Sequence, residues 1–351
     1  MKTLLLLIAL FSTLANAAPY QVASHQQTFH NGERVLTGWV RYPTTPPREQ
    51  RTASAPVPEC SAAHSPVFHC INTHPDAPVA AGRFPLIVLS HGSGGNAMSQ
   101  AWLAQALVQQ GAIVVAVNHP GSTTGNSIPA RSARLWQQTQ DISALITAVS
   151  QNPRWRQHIN PHAVGVIGHS KGGYSAIAAI GGRITREGFA HGCRQAPATP
   201  SCQFYTAAGV DLSALPARQM DADYTDPRIR FAIALDPGMV HYLSPSSLRR
   251  LSAPLLVIVP QHYMEGNTVG NLGGAKLAAD SGKYPIRTLT LPGGNHFDFL
   301  PTCTPAAKSI LEADGEAFIC ATPSAQRDAF HRQTIQAVVE FIRPWLPPYK
   351  A

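Results

Sequence analysis

The sequence predicts an α/β fold built on a doubly wound, mostly parallel sheet with a cap or lid insertion. Three observations predict it. Short unbroken apolar runs alternate with amphipathic stretches from Phe84 onward. A glycine-rich turn, Gly168 to Gly173, joins one of those runs to a helical pattern. The composition is globular, with 44% hydrophobic and only 13% charged residues in 351. That charge content is about half the usual value and excludes a solvated disordered chain. It also excludes a coiled coil or a Glu- and Lys-rich helical array, and no repeat recurs at a fixed period. Length alone allows roughly two domains, but α/β folds of this size are often one. Residues 18–351 are read as one domain.

The amino terminus comes first. Lys2 precedes the apolar run Leu4 to Phe11, and Ala15-Asn16-Ala17 follows. A basic start, a short apolar centre and an A-x-A step make a secretory signal over residues 1–17. The run is too short to span a bilayer, and no later run approaches that length. An uncleaved anchor is the alternative. The expectation is an exported protein, periplasmic or secreted, in a compartment where cysteines pair. The six cysteines form three close couples: Cys60 and Cys70, Cys193 and Cys202, Cys303 and Cys320. Six cysteines allow 15 connectivities. Local pairing is expected, because each couple brackets a Pro-rich or polar segment. A zinc site is the competing reading for cysteines beside 15 histidines, but neither C-x-x-C nor H-E-x-x-H occurs.

Tyr20 to Tyr42 suggests a leading hairpin turning at Asn31-Gly32. Residues 44–83 are rich in Pro, Ala and Ser and read as an extended surface segment. Six apolar runs then read as strands buried on both faces: Leu86–Leu89, Ala112–Val117, Ala163–Ile167, Phe231–Leu235, Leu255–Val259 and Ile286–Leu291. Between them, Trp102, Leu103, Ala106 and Leu107 share a helical face, with Gly111 where that helix would stop. Leu135, Ile142, Leu145, Ile146 and Val149 share another, with Ser132 as its cap and Pro153 beyond. Ile335, Val338, Val339 and Ile342 form a third, ended by Pro344. Residues 184–226 break the rhythm. A segment so long and polar reads as the cap or lid insertion.

The chemistry concentrates at Gly168-His169-Ser170-Lys171-Gly172-Gly173. A G-x-S-x-G between strand and helix is a nucleophile elbow. Ser170 must sit on a sharp turn, and side chains at Gly168 or Gly172 would collide there. The bare pattern arises by chance, so its strand–turn–helix setting carries the reading. His91-Gly92-Ser93-Gly94-Gly95 follows an earlier strand and supplies the second element of an acyl-transfer site, backbone N–H groups for an oxyanion. Ser93 and Lys171 are the candidate donors, through their backbones. His91 reads as a loop-bracing histidine. A phosphate cradle fails, since neither G-x-G-x-x-G nor a Walker lysine is present.

A serine hydroxyl needs a base, and the base an orienting carboxylate, in the chain order Ser, acid, His. His296 follows the last strand between Gly294 and Phe297 and is the candidate base. His331 lies on a helical pattern and reads as surface; His262 lacks the following-strand context. For the acid, spacing leaves Asp236 and Glu265 equal. Asp298 is too close in sequence to orient the ring of His296.

The elbow, the loop Ser90 to Gly94, Asn118-His119-Pro120-Gly121 and Ala234-Leu235-Asp236-Pro237 together resemble the bacterial predicted dienelactone hydrolases, which are similar to platelet-activating-factor acetylhydrolase. The likeness covers most of residues 35–300. It implies an α/β-hydrolase fold, Asp236 as the acid, His296 as the base, and Ser93 and Lys171 as oxyanion donors. Two positions depart. True dienelactone hydrolases carry a cysteine where Ser170 stands. Lys171 is charged where the family is more often apolar or polar; a solvent-facing lysine is expected, with selection of anionic or polar acyl groups as the functional alternative.

The expected function is an exported serine hydrolase of carboxylic esters, acting on short-acyl lipid or phospholipid esters through an acyl-enzyme. Alternatives are a cutinase- or polyesterase-like secreted esterase and a non-catalytic binding protein on a hydrolase scaffold. A peptidase is not favoured. No metal or organic cofactor is implied. The net charge, 27 − 19 = +8, is scattered along the chain. It fits a weakly cationic soluble protein with peripheral contact with lipid, not a nucleic-acid binder.

Overall fold

A computed structural model describes residues 20–45, 55–60, 66–261 and 272–348. The expected signal peptide lies outside the described residues, as do His262 and Glu265.

The leading hairpin pairs β1 (Gln21–Asn31) with β2 (Arg34–Thr44) through eleven antiparallel positions, from Asn31 opposite Arg34 to Gln21 opposite Thr44. Gly32, at φ 57°, sits in the turn, where a side chain would be strained. The Pro-rich segment adds β3 (Val57–Glu59) and β4 (Ile71–Pro75) at the sheet's edge. Its surface character is incomplete: Glu59 is buried and accepts from Arg41 Nε at 2.7 Å.

The six apolar runs are all strands: β5 (Phe84–Ser90), β6 (Ile113–Val117), β9 (Ile159–His169), β10 (Ile229–Leu235), β11 (Leu255–Pro260) and β12 (Ile286–Leu291). A small hairpin, β7 (Ser122–Thr123) and β8 (Asn126–Ser127), precedes β9. The main sheet runs β12-β11-β10-β9-β5-β6-β2-β1-β4-β3, and the six runs pair with one another in parallel. β5 and β6 are buried along their whole length because helices cover both faces. One face packs with α3 (Leu135–Gln151) and α4 (Lys171–Ala179). The other packs with α1 (Ala101–Gln109) and with α10 (Ser324–Ile342), which follows the short helices α8 (Pro245–Leu248) and α9 (Ala307–Ala313). Gly111, at φ 87°, follows α1 at the expected stop.

Ser132 does not cap α3. It ends the single turn α2 (Pro129–Ser132), and Arg134 precedes α3 with no side-chain cap. Residues 184–226, read as the cap or lid insertion, are largely helical. They form α5 (Arg186–Gln195), α6 (Pro200–Thr206) and α7 (Ala217–Met220), and bury Phe189 and Tyr205 in the main core. The disulfides are Cys60–Cys70, Cys193–Cys202 and Cys303–Cys320, the three local pairs expected. No helix among the described residues is long and apolar enough to cross a membrane.

Candidate active site

Ser170 stands between the end of β9 and the start of α4, at φ 54° and ψ −120°. That conformation is rare outside glycine and costs about 1–3 kcal/mol, so the surroundings must enforce it. They do. The Ser170 N–H donates to Leu235 O at 3.0 Å, and Ser170 O accepts from Gly238 N at 2.9 Å. The glycines let the backbones close in. A Cβ on Gly168 would lie 2.0 Å from Gly172 O, and one on Gly172 would lie 2.0 Å from Ser90 O. A Cβ on Gly92 would lie 2.9 Å from Ser170 Cβ. The loop after β5 is thus pressed directly against the serine.

Asp236 follows the last residue of β10, the strand beside β9, and His296 follows β12. Their side chains meet: His296 Nδ1 and Asp236 Oδ2 are 2.7 Å apart, and both residues are buried. Asp236 Oδ1 has no partner among the described residues. Ser170 and His296 line one cleft of about 270 Å³, together with Gly92, Ser93, Gly94 and His169. Lys171 is the first residue of α4, so its N–H has no intrahelical acceptor and is available at the elbow. The five sequence-predicted residues therefore gather at the carboxyl ends of the strands. Val67, Phe68, Phe297, Leu300, Leu311, Phe318 and Ile319 give the cleft an apolar wall, with Glu316 beside it.

Two side chains expected at the surface lie inside. Lys171 does not face solvent: it is 3% exposed, and its Nζ donates to Ser122 Oγ and Ser132 Oγ, both at 3.0 Å. His331 is buried, stacked on Trp102 at 3.8 Å between ring centroids, with Nε2 2.8 Å from Asp298 O. Burial holds its imidazole down at about 4. Asp298 makes no hydrogen bond to the ring of His296 among the described residues. It caps the turn that carries His296 by accepting from Asn295 N at 2.8 Å, and it pairs with buried Arg327 at 2.8 Å. Arg327 also donates to Pro301 O and Ile319 O, joining that turn to the wall of the cleft. Sequence reasoning missed Arg327, though one signal could have found it. Arg327 lies on the buried stripe of α10 with Phe330, Thr334 and Val338.

Further histidines support the loop after β5. His91 Nδ1 is 2.7 Å from Gly92 O, and its Nε2 accepts from His119 N at 3.1 Å. His119 bridges Ser90 Oγ at 3.1 Å and Asp141 Oδ2 at 2.9 Å. Burial pushes His91 well below the usual histidine range. His169 is likewise held down, first by burial and then by the adjacent imidazole of His296. Among the described residues, no group of three or more His, Cys, Asp or Glu could hold a metal ion.

Comparisons with known proteins agree with this architecture. A family model described as serine aminopeptidase, S33, matches residues 83–193, which include Ser93 and Ser170 but neither Asp236 nor His296. No curated protein sequence matches the chain. A ferulic acid esterase from Streptomyces cinnamoneus superposes with a TM-score of 0.61 at 19% identity, over 94% of this chain and 92% of that one. A dienelactone hydrolase from Anabaena variabilis gives 0.50 at 14% identity, over 93% and 100%. Sheet order, elbow and these likenesses lead to one conclusion about architecture: the chain has the α/β hydrolase fold.

Proposed function

We propose that the protein is a serine hydrolase of carboxylic esters. The observation that carries this reading is the 2.7 Å contact between His296 Nδ1 and Asp236 Oδ2, with His296 and Ser170 on one cleft. Asp236 fixes the tautomer that leaves Nε2 free to accept a proton. Ser170 Oγ attacks the ester carbonyl as His296 takes its proton. The N–H groups of Ser93 and Lys171 hold the developing oxyanion. His296 then protonates the leaving alcohol, and water releases the acyl group by the same steps in reverse.

The apolar wall suits the acyl chain of an ester, with short-acyl lipid or phospholipid esters as the first substrate class and cutin-like polyesters as the second. The signal-like amino terminus and three disulfides support export. Residues 184–226 serve as the cap, since their Tyr205 reaches Ser93 and Ser132 O.

A second reading has one observation in its favour. The matched family model carries an aminopeptidase name, and Glu316 at the cleft could meet a substrate ammonium. Turnover of p-nitrophenyl acetate and of alanine p-nitroanilide decides between them. Ester turnover that Ser170→Ala abolishes in a folded protein supports the esterase reading. Preferential cleavage of the anilide contradicts it.

A further inference from the structure

We propose that the side chain of Lys171 is a positioning residue for the oxyanion loop, tying the elbow to the hairpin that holds Gly94 and Gly95. The proposal rests on the esterase reading of the site.

The geometry is a triangle. Lys171 Nζ lies 3.0 Å from Ser122 Oγ and from Ser132 Oγ, and the two hydroxyls are 3.2 Å apart. Ser122 begins β7, and Ser132 ends α2. The β7–β8 hairpin grips the loop beyond Ser93. Gly94 N donates to Ser122 O at 2.9 Å, and Thr124 Oγ1 donates to Gly94 O at 2.7 Å. Gly95 O accepts from Thr124 N at 2.8 Å and Thr123 Oγ1 at 2.9 Å. On the other side, the Tyr205 hydroxyl contacts both Ser132 O and the Ser93 side chain. One ammonium thus joins the residue after the nucleophile to the two elements that flank the oxyanion loop.

A charge is needed there for a physical reason. Hydrogen bonds from an ammonium are roughly twice as strong as those from a neutral amine. The positive charge also sits on the residue whose N–H would face the oxyanion, in a low-dielectric interior where it acts at longer range than in water. No carboxylate contacts Nζ among the described residues. The charged and titratable groups around it are Arg34 on β2, His91 after β5, His119 after β6, Arg131 on α2, Arg134 before α3, Asp141 on α3 and Tyr205 on α6. Arg34 is engaged by Asp141, with Nε 2.8 Å from Oδ1. Burial first, and Arg34 second, pull the lysine down to about 7, with Asp141 opposing them.

Between about 7 and the ordinary 10.5 the folded state binds fewer protons than the unfolded chain, so the cost of burying the ammonium is full below about 7 and fades as pH rises to 10.5. The charge is kept at a cost in stability, and Lys171→Met should remove that cost. A merely structural lysine would show the opposite.

The test measures kcat and KM for p-nitrophenyl acetate from pH 5.5 to 9 on the full chain, with thermal unfolding at pH 6. In the wild type, kcat falls as pH rises through about 7. In Lys171→Met, kcat at pH 6.5 drops on the order of tenfold, KM changes less than twofold, the alkaline limb disappears, and the unfolding temperature does not fall. Should Lys171→Met not fold, Ser122→Ala cuts the tie to the hairpin and should lower kcat several-fold. Unchanged kcat in the variant that folds, or an alkaline limb that persists in Lys171→Met, overturns the proposal. Ser170→Ala in parallel separates the two readings. If it is inactive, such a result overturns only the role of Lys171; if it is active, the site reading beneath the proposal fails.

Discussion

Ser170 holds a backbone conformation that glycine accepts readily and serine does not, and that strain falls on the residue proposed as the nucleophile. Its neighbours are residues defined by distance. Asp236 also has a positive φ, 37°, and places its carboxylate 2.7 Å from His296 although 60 positions separate them. Asp236→Asn should cut kcat on the order of 10⁴-fold with the fold intact, because the wrong tautomer is then stabilised. Glu265→Gln should leave at least half of the wild-type rate. Steady-state kinetics on both variants checks the assignment, and a crippled Glu265→Gln beside an active Asp236→Asn would reverse it. Arg327 acts differently. Removing it strands the Asp298 carboxylate, which is fully buried. Arg327→Met should therefore cost about 3–5 kcal/mol in urea unfolding. The double variant Arg327→Met, Asp298→Asn should recover part of that loss.

At the scale of elements, the elbow works because β9, α4 and the loop after β5 approach closer than side chains allow. Gly172→Ala would put a Cβ 2.0 Å from Ser90 O and 2.7 Å from His91 O, both backbone atoms. It should destabilise the fold by about 1–3 kcal/mol and lower kcat, as urea unfolding and ester turnover would show. These elements were the most readable part of the sequence. Short β-branched runs such as Ile113–Val117 read as strands covered on both faces, and glycines at 168 and 172, placed about a serine between such a run and a helical pattern, mark close approach. Partnerships across the chain were not readable. Nothing local to Lys171 announces Ser122 and Ser132, 49 and 39 positions away, that satisfy its ammonium inside the protein. The stacking of His331 on Trp102 depends in the same way on α1 and α10 sharing a face. The insertion read as a cap or lid, but its deep anchors, Phe189 and Tyr205, were hidden among polar residues.

Over the whole molecule, the sheet delivers each part of the site from a different strand end, and buried ion pairs fix the loops between them. Asp141 accepts from Arg34, Asn31 and His119; burial pushes its carboxyl up, but Arg34 and His119 outweigh it and hold the group at about 2, below the ordinary 3.8. Because the folded value is depressed, its contribution is complete above about 3.8 and is lost as pH falls through about 2. The difference amounts to about 2 kcal/mol. Asp141→Asn should flatten that part of the acid-unfolding curve followed by circular dichroism. The proposed reaction depends on one serine activated by a distant imidazole. Labelling with a fluorophosphonate, followed by mass mapping of the modified peptide, tests it most directly. Rapid, stoichiometric modification is expected at Ser170, slowed by orders of magnitude in His296→Ala. A folded protein that stays unlabelled, or one modified at another serine, would contradict it.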